Sequence, residues 1–175
     1  VGGTGMLAGV TVALAEEGYA VSLMSRHPEA LAAGHPGIFP LAVDYQDSAA
    51  LEAALKIALA AHGPIELAVV WVHTTAPNAP AVIARAAGQP GKPGRFFHIL
   101  GSAYAHPRTK GLALRAQFIS NSQISYHQVI LGFVTFPGGS RWLTPAEISQ
   151  GVIQALKTDA IFSLIGQVEP WSAHP

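Results

Sequence analysis

The sequence predicts an α/β fold built on a doubly wound parallel sheet. Three observations carry the prediction: a glycine-rich segment that opens onto a helix-spaced apolar run, an alternation of short apolar runs with helical periodicities, and one run, residues 65–72, that is nearly all apolar. Strands that alternate with helices argue for parallel pairing through crossover helices. A strand that is apolar at almost every position fits a sheet covered on both faces.

The elements follow in order. Val1 is the only residue ahead of the glycine segment, and such a segment needs a buried strand to carry the backbone into its turn. Several apolar residues forming a first strand are therefore expected before Val1. From Met6 onward, Leu7, Val10 and Leu14 keep helical spacing, and Gly18 supplies a stop. Residues 19–24 read as a strand, and Pro28 suits the first turn of a helix through residues 31–34. Residues 38–43 are the next strand. Asp47 is a good N-cap for a helix with Leu51, Leu55 and Leu59 on one side, closed by His62-Gly63-Pro64. Beyond the apolar run 65–72, residues 79–87 form a short helix, residues 89–94 a polar turn and residues 95–100 a strand, in which Phe96 and Phe97 supply both buried faces.

Residues 102–123 give no clear period. Residues 124–134 read as a strand broken near Gly132, and Pro137-Gly138-Gly139 turns the chain. Thr144-Pro145-Ala146-Glu147 is a capping box with proline at the first helical position, so a helix runs through Leu156. A last strand at 161–165 precedes the tail Glu169-Pro170-Trp171. No repeat and no linker interrupts the pattern, so residues 1–175 are expected to form one domain.

Composition limits the functions. The chain has 175 residues, half of them hydrophobic, enough for one substantial core. Its formal net charge is zero and only 11% of residues are charged, so no basic field exists to hold nucleic acid or an anionic membrane surface. It contains no cysteine, which excludes disulfides and thiolate metal sites and fits a reducing cytoplasm. Its apolar runs are too short to cross a bilayer, and a cytoplasmic location is expected. Eight histidines show no pair at metal-ligand spacing on a shared element, so no metal is expected.

The chemistry concentrates in Gly2-Gly3-Thr4-Gly5-Met6-Leu7-Ala8. Read from Gly3, it fits a dinucleotide-binding fingerprint that ends in alanine; read from Gly2, it fits a variant spacing, and both registers share Gly5. Small residues let the backbone approach a pyrophosphate, and the first N–H groups and the dipole of the following helix stabilise its charge. This places a nicotinamide dinucleotide on a Rossmann-like, three-layer αβα domain. About twenty residues after such a loop an acid would grip the ribose hydroxyls of NAD. Ser25 and Arg26 stand there instead. Both can bind a 2′-phosphate, the arginine through a charge-assisted contact worth about 1.5–3 kcal/mol, so NADP(H) is expected over NAD(H). Asp44 and Tyr45 either contact adenine or serve a turn or helix cap. His73 either faces the nicotinamide or is a hydrogen-bonded structural histidine. Ser102 either orients a substrate carbonyl or belongs to an ordinary turn. Trp142 and Trp171 line a pocket or anchor the C-terminal segments to the core.

With these residues placed, the chain resembles the short-chain dehydrogenase/reductase superfamily in a shortened form. The likeness rests on the Gly-Gly-Thr-Gly loop, Ser25-Arg26, Asp44, Ser102 and the run Val129-Ile130-Leu131-Gly132-Phe133-Val134. It implies an oxidoreductase acting on a carbonyl or alcohol substrate, and a homo-oligomer. The departures are specific. Where the family usually carries Asn-Asn-Ala-Gly, this chain has His73-Thr74-Thr75-Ala76, so His73 and Thr74 take the cofactor positions only loosely. No Tyr-x-x-x-Lys occurs. Tyr104 has Arg108 at the right spacing, but Pro107 breaks the helix that would align them; Arg108 and Lys110 are the nearest cations. Ser102 with Tyr104 or His73 is the remaining catalytic constellation, with Tyr126 as another possible donor. Two other classes stand beside the reductase: a non-catalytic NADP(H) sensor, and a methyltransferase, for which Ser25-Arg26 is the wrong chemistry at the ribose.

Overall fold

The computed structural model describes residues 1–105 and 111–175. Its elements run in the order α1 (Ala8–Glu16), β1 (Val21–Ser25), α2 (Glu29–Ala32), β2 (Ile38–Ala42), α3 (Ser48–His62), β3 (Leu67–Val70), α4 (Ala79–Ala86), β4 (Gly94–Gly101), α5 (Gly111–Ile119), β5 (Ile124–Leu131), β6 (Phe133–Phe136), β7 (Gly139–Trp142), α6 (Pro145–Thr158) and β8 (Phe162–Ile165). Single 3₁₀ turns lie at Ser102–Tyr104 and Trp171–Ala173. β1 pairs with β2, and β3, β4, β5 and β8 pair in that order, all in parallel. β6 and β7 form an antiparallel hairpin.

The parallel strands send alternate residues into two apolar layers. Phe96 joins Leu51, Leu55, Val82 and Ile83 under α3 and α4, whereas its neighbour Phe97 joins Leu7, Val10, Ile148 and Val152 under α1 and α6. Burial on both faces is why β4 and β5 tolerate almost no exposed side chain. The expected doubly wound parallel sheet is present. Among the described residues no helix is long and apolar enough to cross a membrane.

Local chemistry sets the helix ends. Asp47 accepts hydrogen bonds from the N–H groups of Ala49 and Ala50 at 2.9 and 3.0 Å, and Gly63 closes α3 at φ 79°. Thr144 and Glu147 form the reciprocal capping box of α6. α1 and α6 pack closely because Gly9 has no side chain: a Cβ there would lie 3.0 Å from Ser149. Ser149 then donates to the Met6 carbonyl at 2.9 Å.

Several elements differ from the sequence reading. α2 has only four residues and ends at Ala32. β3 is shorter than the apolar run: at one end Ile65 bridges Ala87, and at the other the Trp71 N–H bonds the Val1 carbonyl on the edge away from β4. The unreadable stretch contains α5, whose apolar residues do not share one face: Phe118 is buried while Leu112 and Ile119 are exposed. β7 went unread because its strand is polar and exposed. Trp142 and Trp171 are 51% and 41% exposed, and both pack on His174, which itself sits against the fully buried Phe133.

Gly132 separates β5 from β6 at a point where the Gln167 carbonyl occupies the space of a Cβ. Gly132→Ala is expected to lower stability by about 1–3 kcal/mol, because the displaced neighbour is backbone. Gly101→Ala, where a Cβ would meet nothing within 4 Å at φ −71°, should leave the urea midpoint nearly unchanged.

Candidate functional site

The glycine segment lies at the carboxyl ends of the parallel strands, between β1 and β3. Val1 donates to the Val69 carbonyl at 2.9 Å and accepts from Trp71 N–H at 3.2 Å, while Gly2 donates to the Met24 carbonyl at 3.1 Å. Gly2 has φ 73°, and a Cβ there would collide with the Trp71 carbonyl oxygen. Gly3 is buried against Thr11, whose hydroxyl lies 3.0 Å from the Gly3 carbonyl and 3.2 Å from that of Leu7. These two glycines serve close packing of the turn. Gly5 differs: it is exposed beside Thr4, and a Cβ would meet nothing within 4 Å. Met6 is half-buried, and Leu7 caps α1 without a side-chain acceptor for the first N–H groups of the helix. The helix therefore presents an uncapped, electropositive end below an open tip, which suits an anion.

β1 delivers Ser25 and Arg26 beside this loop. Ser25 is buried, and its Oγ has no hydrogen-bond partner among the described residues. A buried hydroxyl without a partner is costly, and an incoming acceptor would relieve that cost. Arg26 is exposed. Beyond β2, Asp44 Oδ1 accepts from Gln46 N–H at 3.0 Å, which is the turn chemistry of the two readings. Tyr45 is half-buried against the α3 side of the core.

The other candidates stand along the same edge. β3 and β4 are in register with Val70 opposite His98; His73 follows the end of β3 by three residues, and Gly101 ends β4. His73 and Thr74 are exposed, and the imidazole meets Trp71 edge-on with ring centres 6.3 Å apart. Ser102 and Tyr104 are half-buried on the 3₁₀ turn after β4. The turn reading of Ser102 holds for its backbone, since its carbonyl accepts from Ala105 N–H at 2.9 Å. His106, Pro107, Arg108 and Lys110 lie outside the described residues. Among the described residues no group of three histidine, aspartate or glutamate side chains could hold a metal.

A buried polar cluster escaped the sequence reading. His98 stands opposite Gln128 in the ladder of β4 and β5, and His98 Nδ1 lies 3.0 Å from the Tyr126 hydroxyl. Gln128 Nε2 donates to that hydroxyl at 3.4 Å and to the Gly111 carbonyl at 3.2 Å, which leaves the phenol hydrogen for His98. Phe118 stacks on Tyr126 with centres 4.8 Å apart. Burial lowers the His98 pKa to about 4 and pushes the Tyr126 phenol up. Tyr126 is thus enclosed and a poor proton donor. The signal available in the sequence was a polar residue, His98 or Gln128, directly before each apolar strand end, Ile99-Leu100 and Val129-Ile130-Leu131.

No protein-family model matches this sequence, and no curated protein matches it. Solved structures do. The TT0495 protein from Thermus thermophilus superposes with a TM-score of 0.70 at 20% identity, over 95% of each chain. An apo SCOR enzyme from Clostridium thermocellum gives a TM-score of 0.74 at 16% identity, over 94% of this chain and 88% of that one. A metagenomic short-chain oxidoreductase in complex with NADP gives 0.65 at 21% identity, over 95% of this chain and 93% of that one. The fold is that of the short-chain dehydrogenase/reductases.

The His98 pKa yields a prediction with a definite sign. Between the unfolded value of 6.5 and about 4, the unfolded chain binds a proton that the folded chain does not, so stability rises with pH across this window. The contribution is complete above pH 6.5 and is lost progressively as pH falls towards 4. Urea midpoints measured across this window should fall less steeply for His98→Gln than for the natural protein. Equal slopes would show that His98 titrates normally when folded.

Proposed function

We propose that the protein binds NADP(H) and acts as an oxidoreductase on a carbonyl or alcohol substrate. One observation carries the reading: the open Gly5 tip and uncapped α1 stand beside Ser25, whose buried hydroxyl lacks a partner among the described residues, and the exposed Arg26. The NADP held by the metagenomic neighbour of the same fold supports it. When bound, the cofactor supplies or accepts a hydride.

The chain's own residues divide the remaining work. Gly3, Thr4, Gly5, Met6 and Leu7 hold the diphosphate with backbone groups and the α1 dipole, on the base that Gly2 provides. Ser25 and Arg26 take the 2′-phosphate, which disfavours NAD(H). Asp44 and Tyr45 border the adenine side, and His73 and Thr74 border the nicotinamide side. Ser102 orients the substrate carbonyl. Reduction leaves an alkoxide, and Tyr104 gives it a proton. Tyr126 is excluded from that role by its enclosure with His98 and Gln128.

A non-catalytic sensor of NADP(H) is the second reading. It is favoured by the sequence, in which no tyrosine is followed four residues on by a lysine. An unassisted tyrosine is a slow acid at neutral pH, and loss of a positioned general acid removes about 10²–10⁴-fold in rate.

Calorimetry should give an NADPH affinity at least about tenfold above that for NADH, and Arg26→Asp should abolish the difference. NADPH oxidation against a panel of aldehydes and ketones should be slow or confined to one substrate, and lost in Ser102→Ala and Tyr104→Phe. His73→Ala tests the remaining member of the constellation. Robust turnover untouched by all three substitutions would remove the site from this edge. Binding without turnover on any substrate would favour the sensor.

A further inference from the structure

At the amino ends of β4 and β5, opposite the end that carries the glycine loop, the ladder brings four side chains to one face. Arg95 stands across from Ser125, and Phe97 across from His127. Strand alternation puts all four on the α6 side of the sheet, where Phe97 packs against Ile148 and Val152. The Phe97 and His127 rings stack with centres 4.3 Å apart, and the Arg95 guanidinium lies 5.2 Å from the centre of Phe97. His127 is buried, whereas Ser125 is exposed. Ser125 Oγ lies 3.0 Å from His127 Nε2.

The other ring nitrogen settles which way this hydrogen bond runs. His127 Nδ1 lies 3.1 Å from the Ala160 carbonyl, which can only accept. In the neutral ring Nδ1 therefore carries the hydrogen, Nε2 holds a lone pair, and the Ser125 hydroxyl donates to it. The end of α6 supplies the rest of the surroundings. Its C-cap, Asp159, has φ 52° and is the one non-glycine residue with positive φ among the described residues. Asp159 Oδ1 is 3.7 Å from His127 Nε2 and accepts from Arg95 Nε at 2.8 Å. Arg95 also donates to the Leu156 carbonyl, which holds it in place. A carboxylate at this distance favours the imidazolium that forms when Nε2 takes up a proton.

We propose that Ser125 and His127 are a nucleophile and its general base, and that the pair takes an acyl group from a small carboxylic ester. Ser125 Oγ adds to the ester carbonyl while its proton passes to His127 Nε2. The bond to the alcohol oxygen then breaks, the alcohol leaves with that proton, and the acyl group stays on Ser125. Water next gives a proton to the same nitrogen as its oxygen adds to the acyl carbon. Ser125 departs with that proton, and the carboxylic acid is released. Both steps are redox-neutral. The Ala160 carbonyl takes the orienting place that a carboxylate holds in a serine–histidine–aspartate triad, and the charge of Arg95, across the ladder, offsets that of the addition intermediate. Arg95 also borders a cleft of about 180 Å³ walled by Leu67, Ile153 and Leu156, which suits a short apolar acyl chain. The pair is separate from the proposed cofactor site and does not depend on it.

Two probes test the pair. Diisopropyl fluorophosphate should leave a single adduct per chain, located on Ser125 by fragmentation of its peptide in a mass spectrometer. Nitrophenyl acetate should release nitrophenol in a burst that Ser125→Ala abolishes, and His127→Gln should slow both reactions about tenfold or more. The chain has no cysteine, so Ser125→Cys sets a single thiol beside the ring and keeps the question open to measurement if His127→Gln does not fold. Its alkylation by iodoacetamide should be about tenfold or more faster in the folded protein than in urea. Adducts absent from Ser125, adducts spread over several serines and tyrosines, or equal rates in folded His127→Gln would overturn the proposal. So would alkylation of Ser125→Cys no faster in the folded chain than in urea.

Discussion

Three hydrogen bonds made by Val1 and Gly2 hold the two halves of the parallel sheet to one another. The chain winds outward from β1 to β2 on one side and from β3 through β4 and β5 on the other, so its direction of winding reverses at this point. Open α/β sheets offer ligands a crevice at such a reversal, outside the carboxyl ends of the strands. Gly2 makes the joint possible because its left-handed φ and missing side chain let the backbone pass the Trp71 carbonyl. The loop at Gly5, the end of β1 at Ser25 and the end of β3 before His73 are neighbours for this one reason.

The far end of the chain secures the same loop. The β6 and β7 hairpin presents Arg141 to Glu147 in a two-bonded contact of 2.8 and 2.9 Å. That contact, with the Thr144 N–H and hydroxyl, lowers the Glu147 pKa to about 2 and fixes the carboxylate in the α6 capping box. An exposed pair of this kind adds little stability; its effect is to orient the helix. α6 then presses on Gly9 and places the Ser149 hydroxyl on the Met6 carbonyl. A distant hairpin is thereby coupled mechanically to the exit of the glycine loop.

The sequence was most legible where backbone chemistry is local. The Asp47 cap, the Thr144 box, the Gly132 break and the alternating Phe96 and Phe97 each depend on neighbours within a few positions, and each stands where its residues imply. Legibility failed where tertiary contacts decide. α5 buries Phe118 while leaving Leu112 and Ile119 exposed, so its period is hidden. β7 pairs through backbone while exposing a polar strand. For the candidate site, the glycine loop and Ser25-Arg26 were readable from spacing, but the different duties of Gly2, Gly3 and Gly5 were not. They depend on Trp71 and Thr11, which the fold brings close.

The buried cluster of His98, Tyr126 and Gln128 has a role consistent with its cost. Two polar strand residues replace apolar ones in the core, and every hydrogen bond they lose to water must be recovered. Gln128 spends one of its donors on the carbonyl of Gly111, the first residue of α5. Gly111 in turn packs so closely on the Tyr104 carbonyl that a side chain there would collide with it. The cluster therefore clamps the start of α5 against the 3₁₀ turn that carries Ser102 and Tyr104. An apolar residue at position 128 would fill the same space but leave the Gly111 carbonyl without this donor and the turn free to shift. Tyr126, desolvated and enclosed, thus helps hold the frame, whereas Tyr104 is half-buried on the turn against which that frame packs.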